Sequence, residues 1–432
     1  EGFDLCAANT SVSKTINGNY WWHLAAFFNV AIRQQVKKFE EENGRKPDDK
    51  EHAEIKARTL STVRGTVQAD QLKESMGQNT LVFNLDTALR MMGDVAEFYV
   101  DNEVRNHYFV SISGYHIAEA GANPISQAAL TLSNGLTYVE LFNSRGLDAN
   151  KFLRNFSWFF SNGMDPEYAV IGRVCRRIWA IAMRDMYGVD ERGQKLKYHI
   201  QSSGRSLHAQ EYTWNDYRTT LQALYALADN ANSLHTNSRD EAFGTPTEDT
   251  VRDAVAIQLI LSKEYGWLQN ENPLQGSHVA DWLTDSVEEE ILKIFEEMHR
   301  RGGVLGALEV NYQRNRIQDE SMIYEHRKHS GELPIIGVNT FEEGVDNSLS
   351  VEEFDIEVTR SDKEERMMVI DRNKAFKETH AKEAEEGLAR LKQVAREGGN
   401  LFEVMMDIVE YCTVGQVTQA LFETGGKFRR NM

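Results

Sequence analysis

Tyr115 and His116 stand side by side just after residues 109–113, a short run rich in β-branched and small side chains. The run predicts a buried strand, and a helical pattern follows over residues 125–141. Imidazole titrates near neutral pH, so His116 can donate a proton or a hydrogen bond to a ligand. A lone histidine is more often a core residue bonded to backbone, by about two to one. A polar pair between a strand and a helix instead matches the way a (β/α) barrel presents catalytic groups.

The same order of strand, polar side chains and helix recurs along the chain, which favours the catalytic interpretation of His116. Gln201 follows a strand predicted at 197–200, and Asn237 and Glu241 follow one that begins at residue 233. Because strands alternate with helices, we expect parallel βα units whose strand ends converge on one face. The other polar side chains on or after predicted strands are Gln68 (65–70), Asn155 and Ser157 (152–160), and Ser13 and Thr15 (11–18).

These units predict an α/β protein built as a (β/α)8 barrel that lacks its first strands. The alternative is a doubly wound open sheet, which also binds ligands at the ends of its strands. Neither a Gly-x-Gly-x-x-Gly sequence nor a P-loop lysine motif is present, which weakens that alternative. We expect the barrel to span residues 1–341, an acidic arm to span 342–365, and a small helical C-terminal domain, suited to dimerisation, to span 366–432.

Composition excludes several classes of partner for this 432-residue chain. Its net charge is −18, and it has no cluster of lysine and arginine of the kind that binds nucleic acid. Its three cysteines lie far apart, which predicts no metal site and a reduced, cytoplasmic protein. No apolar run reaches the length of a membrane span. The chain begins with Glu1 and shows no signal-peptide pattern, so we expect it to be part of a longer polypeptide.

Four motifs together resemble the substrate domain of the adenosylcobalamin-dependent acyl-CoA mutases, the methylmalonyl-CoA mutase family. They are Ser-Gly-Tyr-His-Ile-Ala-Glu-Ala-Gly-Ala at 113–122, Gln-Ser-Ser-Gly-Arg-Ser-Leu at 201–207, Ser-Leu-His-Thr-Asn-Ser-Arg-Asp-Glu-Ala at 233–242, and Leu-Pro-Ile-Ile-Gly-Val-Asn at 333–339. The Gln-Asn pair at 78–79 and the terminal Phe-Arg-Arg-Asn-Met at 428–432 resemble the fused isobutyryl-CoA mutases. The resemblance covers nearly the whole chain and implies a radical 1,2-shift of a thioester group.

The resemblance also implies roles for the candidate site residues. His116 resembles the histidine that hydrogen-bonds the thioester carbonyl, and Tyr115 lines the same pocket. Asn237 and Glu241 resemble the pair that binds the ribose of the adenosyl group. The remaining residues resemble contacts to the substrate, its thioester or its pantetheine arm: Gln68, Gln201, Asn155 (an arginine in methylmalonyl-type members), Ser157, Ser13 and Thr15.

Gln78 distinguishes between substrates within this family. In methylmalonyl-type mutases the matching residue is an arginine, whose planar guanidinium clamps the free carboxylate of the substrate. A neutral amide cannot balance that charge, so the resemblance implies interconversion of isobutyryl-CoA and n-butyryl-CoA. Methylmalonyl-CoA and branched five-carbon acyl-CoAs remain alternatives, and so does a non-catalytic barrel subunit that acts in assembly.

Several features of the family are absent from this chain. It has no Asp-x-His-x-x-Gly motif of the cobalamin domain and no P-loop of the GTPase module. The resemblance therefore implies that these modules come from the same polypeptide or a partner chain, that the enzyme is a homodimer, and that this chain alone is inactive. Lys14 stands where the family has Met, and Tyr20, Trp21 and Trp22 stand where small residues are usual, so the contacts implied for Ser13 and Thr15 fall in the least similar segment.

Overall fold

All the strands of the structure pair in parallel, as the alternation of strands and helices predicts. The structure is a computed structural model that describes residues 5–6, 12–14, 19–78, 80–342 and 361–429. Its strands are β1 (Val12–Lys14), β2 (Gly65–Val67), β3 (His107–Tyr108), β4 (Val110–Ser113), β5 (Phe156–Asn162), β6 (Tyr198–Ser202) and β7 (Ser233–His235). They form two sheets with the orders β1-β2-β3 and β4-β5-β6-β7. The predicted α/β class is thereby confirmed.

The helices lie between and after these strands and make up most of the described chain. They are α1 (Tyr20–Asn43), α2 (Asp49–Thr62), α3 (Gln71–Lys73), α4 (Leu85–Asp101), α5 (Tyr115–Glu119), α6 (Pro124–Ser144), α7 (Ala149–Phe152), α8 (Ile171–Asp185), α9 (Asn215–Ala228), α10 (Glu248–Leu259), α11 (His278–His299), α12 (Gly303–Glu309), α13 (Tyr312–Ser330), α14 (Lys363–Thr379), α15 (Ala381–Glu397), α16 (Leu401–Ile408) and α17 (Val414–Gly425). Two π-helical turns, Glu74–Gln78 and Ile260–Glu264, follow α3 and α10. No helix in the described ranges combines the length and apolar character needed to cross a membrane.

The order of the strands in the two sheets indicates how much of a barrel the described residues contain. Only Phe109 separates β3 from β4, so the seven strands occupy six strand positions. Within the described residues, β1 and β7 each pair with a neighbour on one side only. A (β/α)8 barrel needs eight positions, so this arrangement is consistent with a barrel that lacks two of them.

The two faces of the strands differ in their packing. On β5, Trp158 packs edge-to-face against Trp179 of α8 at 4.8 Å, and it lies against Gly135 of α6. Side chains alternate along a strand, so Ser157 and Phe159 point to the opposite face. The face of Trp158 therefore carries the core against the helices, and we call the other face the inner face.

The C-terminal helices pack against the beginning of the chain. The indole nitrogen of Trp22 donates to the carbonyl oxygen of Cys412 at 2.9 Å, and the amide of Asn29 donates to that of Met406 at 2.9 Å. The ring of Trp21 is 1% exposed. The bulky residues that the sequence places at 20–22 thus begin α1 and bury its first turn. A separate domain at 366–432 stays a prediction.

Two predicted boundaries were wrong. A strand was expected over 152–160, but Phe152 ends α7, residues 153–155 form a 3-10 turn, and β5 begins only at Phe156. Asp148 caps α7 by accepting from the backbone N–H of Asn150, and this cap favours helix over strand. The charged sequence over 366–396, with a sparse apolar stripe at Leu388, Leu391 and Val394, predicts a single helix, but the structure divides it at His380 into α14 and α15. Residues 343–360 of the predicted arm lie outside the described residues.

We expect Gly135→Ala to destabilise the protein, although alanine normally favours a helix by about 1 kcal/mol. A Cβ at this position would lie 2.2 Å from the buried Trp158 ring, and overpacking of this kind costs about 1–3 kcal/mol. Gly415→Ala in α17 is the matched control, because its Cβ would meet no heavy atom within 4 Å. Urea unfolding should place Gly135→Ala below the wild type and Gly415→Ala at or above it. Equal stability of the two variants would contradict the packing argument.

Candidate active site at the strand ends

His116 lies in α5, immediately after β4, with its ring held by side chains from two elements. Its Nδ1 is 2.6 Å from Ser113 Oγ and 3.2 Å from Lys73 Nζ. The ring also packs edge-on against Tyr115 and Phe159. Burial, and then the charge of Lys73, lower the pKa of His116 to about 3. The imidazole is therefore neutral at physiological pH.

A buried ion pair that the sequence analysis missed stands behind this histidine. Lys73 is 2% exposed, and its Nζ lies 3.0 Å from Glu74 Oε1. The Glu74 carboxylate also accepts from the hydroxyls of Tyr20 at 2.9 Å and Thr80 at 2.7 Å. Tyr20, which stands where the family usually has a small residue, thus stabilises the ion pair. Lys73 and Glu74 follow the strand predicted at 65–70, but lysine and glutamate are mostly exposed in proteins, so the sequence did not predict that they are buried.

Asp70 joins the end of β2 to the end of β4. Its carboxylate is fully buried and accepts from the backbone N–H of Ser113 at 2.9 Å and from that of Lys73 at 3.1 Å. The hydroxyl of Tyr138 in α6 donates to the same carboxylate. These bonds fix the position of Ser113 and hence the start of the segment that carries His116.

Three predicted site residues from three strand ends form one hydrogen-bonded group. Gln201 Nε2 donates to Tyr115 Oη at 3.0 Å and to Asn237 Oδ1 at 3.1 Å. The Tyr115 ring stacks on Phe159 with centroids 4.9 Å apart. Burial, and then the carboxylates of Glu119 and Glu241, raise the pKa of Tyr115 well above its usual range. Tyr115 is therefore a neutral phenol that can donate a hydrogen bond.

Glu119 holds the loops that follow β5 and β6, and the sequence analysis did not single it out. Its carboxylate accepts from Ser161 Oγ at 3.0 Å, Ser203 Oγ at 2.9 Å and the backbone N–H of Arg205 at 2.7 Å. Its presence within the motif at 113–122 was the available signal. Because three donors converge on one carboxylate, the loop at 203–205 has a fixed position beside Gln201.

Gln78 lies at the end of the π-helical turn that packs against α5. A Cβ on the preceding Gly77 would lie 3.6 Å from the carbonyl oxygen of His116, so the turn and the histidine are neighbours. The side chain of Gln78 is exposed and makes no hydrogen bond within the described residues. π-helical turns occur frequently at functional sites. Gln78 is thus free to meet a ligand, although Asn79 lies outside the described residues.

The remaining residues that were predicted to contact the substrate are less well placed to bind a ligand. Asn155 is 2% exposed, and its amide nitrogen donates to the carbonyl oxygens of Val104 at 2.9 Å and His107 at 2.8 Å. That side chain therefore supports the fold locally, and its contact with a pantetheine arm stays a prediction. Ser157 Oγ donates to the carbonyl oxygen of Val110 at 3.3 Å, and Gln68 is half-buried after β2. Thr15 and the side chain of Ser13 lie outside the described residues.

The inner face of the strands carries several polar side chains beside the Phe159 ring. Ser111 pairs with Ser157 across β4 and β5, and Ser161 pairs with Gln201 across β5 and β6. His199, on the same face, has a pKa lowered to about 4 by burial and then by His235. Barrel interiors are usually filled by bulky branched residues. Here serine, histidine and glutamine side chains occupy several of these positions instead.

The site has a group that can recognise hydroxyls, the carboxylate of Glu241. The carboxylate of Glu241 is exposed after β7 and can accept hydrogen bonds from hydroxyl groups. Both polar atoms of the Asn237 amide already have partners. Its Nδ2 donates to the carbonyl oxygen of Ser202 at 2.8 Å, and its Oδ1 accepts from Gln201. Among the described residues, no cluster of histidine, cysteine and acidic side chains could hold a metal ion.

Comparisons with known proteins agree with the motifs. The family model described as methylmalonyl-CoA mutase matches residues 51–427. A fused isobutyryl-CoA mutase from Nocardia farcinica (strain IFM 10152) is 59% identical over 432 residues, which cover 100% of this chain and 40% of that protein. One from Geobacillus kaustophilus (strain HTA426) is 59% identical over 433 residues, with the same coverage of both proteins. The 2-hydroxyisobutanoyl-CoA mutase large subunit from Aquincola tertiaricarbonis is 32% identical over 431 residues, 99% of this chain and 72% of that subunit.

The lowered pKa of His116 predicts a specific pH dependence of stability. The unfolded histidine titrates near 6.5 and the folded one near 3, so between these values the unfolded chain binds more protons. Stability is therefore unaffected above about pH 6.5 and falls as the pH decreases below it. Compared with His116→Gln, the wild type should lose about 2 kcal/mol of unfolding free energy between pH 7 and pH 5 in urea titrations. Parallel pH profiles for the two proteins would exclude this effect.

Proposed function

Because this chain belongs to the methylmalonyl-CoA mutase family, we propose that it is the substrate-binding and catalytic part of an adenosylcobalamin-dependent isobutyryl-CoA mutase. The reaction would interconvert isobutyryl-CoA and n-butyryl-CoA by 1,2-migration of the thioester group. The observation that carries the choice of substrate is the exposed amide of Gln78 beside the His116 segment. A neutral amide provides no cation for a second carboxylate, so it favours a monocarboxylic acyl group.

The side chains around His116 support specific roles in such a reaction. A neutral imidazole can donate to the thioester oxygen, where negative charge develops as the group migrates, and such a donor stabilises the transition state. Tyr115 and Gln201, joined at 3.0 Å, would form the wall beside the acyl group. The Phe159 ring beneath Tyr115 keeps that wall rigid. The small polar residues of the inner face would accommodate the pantetheine arm of the CoA ester.

The described residues fit one part of the cofactor. Adenosylcobalamin, when bound, supplies the radical that begins and ends the rearrangement. From this chain, the exposed carboxylate of Glu241 would hold ribose hydroxyls. Asn237 keeps one acceptor position on its Oδ1, and its main role would be to orient Gln201.

The rest of the proposed enzyme lies outside this sequence. The chain spans about two fifths of the length of the fused relatives it matches. We infer that the cobalamin-binding and GTPase modules and the two further strand positions of the barrel belong to the same polypeptide. A homodimer in the cytoplasm is part of the same proposal, and so is the inactivity of this chain by itself.

Gln78→Arg in the full-length protein tests the proposed substrate. The new guanidinium would face the acyl group without a partner when isobutyryl-CoA is bound, and an uncompensated cation is costly to desolvate. The free carboxylate of methylmalonyl-CoA would supply the partner. We expect affinity for isobutyryl-CoA to fall by about tenfold or more and affinity for methylmalonyl-CoA to rise, as measured by calorimetric titration with each ester.

Gln393→Arg is the control, because it makes the same chemical change at an exposed position in α15. It should leave the ratio of the two affinities unchanged. An unchanged ratio in Gln78→Arg as well would show that Gln78 does not face the acyl group. Absence of n-butyryl-CoA formation by the wild-type, cofactor-loaded protein would refute the proposed reaction directly.

A further inference from the structure

Lys73 brings a positive charge into the interior beside an imidazole. Its Nζ is 3.2 Å from His116 Nδ1 and 3.0 Å from Glu74 Oε1. A cation without a function is rarely retained at such a position, because its desolvation must be compensated by well-placed partners. Among the described residues, the ammonium group meets the candidate site at the His116 ring.

The contact determines which nitrogen of His116 carries the proton. An ammonium group has three N–H donors and no acceptor, so Nδ1 must be the acceptor and therefore unprotonated. Ser113 Oγ at 2.6 Å can donate to the same nitrogen. In a neutral imidazole the proton then resides on Nε2, which is the nitrogen left to donate to a ligand.

We propose that Lys73 is a positioning residue that holds His116 in its neutral Nε2–H form, so that the ring meets the thioester oxygen as a hydrogen-bond donor and not as an acid. The assignment of the oxygen rests on the proposed function. A cation at 3.2 Å opposes protonation of Nδ1 by repulsion between like charges. Glu74, itself bonded by Tyr20 and Thr80, holds the ammonium group of Lys73 in place through their 3.0 Å ion pair.

The other ionisable groups near His116 do not replace Lys73 in this role. Asp70 reaches the same segment, but its carboxylate is bonded to the backbone N–H groups of Ser113 and Lys73. Glu119, on α5, accepts hydrogen bonds from side chains at the end of β5 and after β6. The hydroxyl of Tyr115 accepts one from Gln201. From β5 the neighbour of the ring is Phe159, which carries no charge. Lys73 is the charged group that lowers the pKa of His116.

Hydrogen–deuterium exchange at the imidazole C2–H, followed by peptide mass spectrometry of the full-length protein, reports the protonation of each histidine separately. In the wild type we expect no inflection for His116 between about pH 5 and pH 8. Lys73→Met should move the midpoint upward by about one pH unit, because the repulsion from the ammonium group is removed while the burial of the ring remains. Lys151→Met, at an exposed position in α7, is the matched control and should leave the profile of His116 unchanged.

Lys73→Met leaves Glu74 unpaired, so a second variant protects the test against misfolding. The double variant Lys73→Met/Glu74→Gln removes both charges and keeps the length of both side chains. It should show the same upward shift of the His116 midpoint. An unmoved midpoint in both variants overturns the proposal, even if activity falls.

A kinetic cycle then separates positioning from general structural support. With isobutyryl-CoA as substrate, Lys73→Met should lower kcat by about tenfold or more and change KM by less than about threefold, because the donor matters most in the transition state. Combined with His116→Ala, it should cause no further loss, since Lys73 acts through that ring. Multiplicative losses would overturn the proposal. If the wild type does not turn over isobutyryl-CoA but the exchange midpoint still moves, the proposed function fails and the positioning role stands.

Discussion

Lys73 is 2% exposed, and the need to compensate its charge organises much of the site. A buried ammonium costs several kcal/mol unless an opposite charge and further hydrogen bonds surround it. Glu74 supplies the charge, and Tyr20 and Thr80 satisfy the remaining oxygen positions of that carboxylate. Through these bonds the first residue of α1, the π-helical turn and the histidine segment hold one another in place. Removing one member would leave another buried polar group without its partner.

Two carboxylates, the buried Asp70 and the partly buried Glu119, likewise bind groups at the strand ends. Asp70 accepts from a backbone N–H at the end of β4, and Glu119 accepts from donors after β5 and β6. Loops that follow strands are normally the mobile parts of a barrel, yet these are held by charge-assisted bonds to fixed acceptors. Rigid strand ends suit radical chemistry, because a small misplacement of the reacting groups is costly in rate.

The sequence predicted the features that depend on local pattern. Runs of β-branched residues marked the strands, and polar residues after them marked Tyr115, Gln201 and Asn237, which the structure brings into contact. Patterns cannot reveal a charge buried by tertiary contacts, so Lys73 was missed. The same limit applies to Asn155, whose amide bonds to carbonyl groups about fifty residues away in the chain. At Phe152 a helix cap prevailed over a run that resembled a strand.

Each strand has a packed face that carries the apolar core and an inner face that does not. Substitutions on the two faces therefore have different effects on stability. Trp158 and its helical neighbours carry the apolar core, whereas Ser157 and Ser111 on the other face contribute little to it. Most proteins lose stability as they acquire new ligands, because substitutions that reshape a pocket also disturb the core. Here the positions on the inner face are not the positions that pack the sheet against the helices. Substitutions at alternate residues of each strand can therefore change the chemistry of the inner surface at little cost to folding.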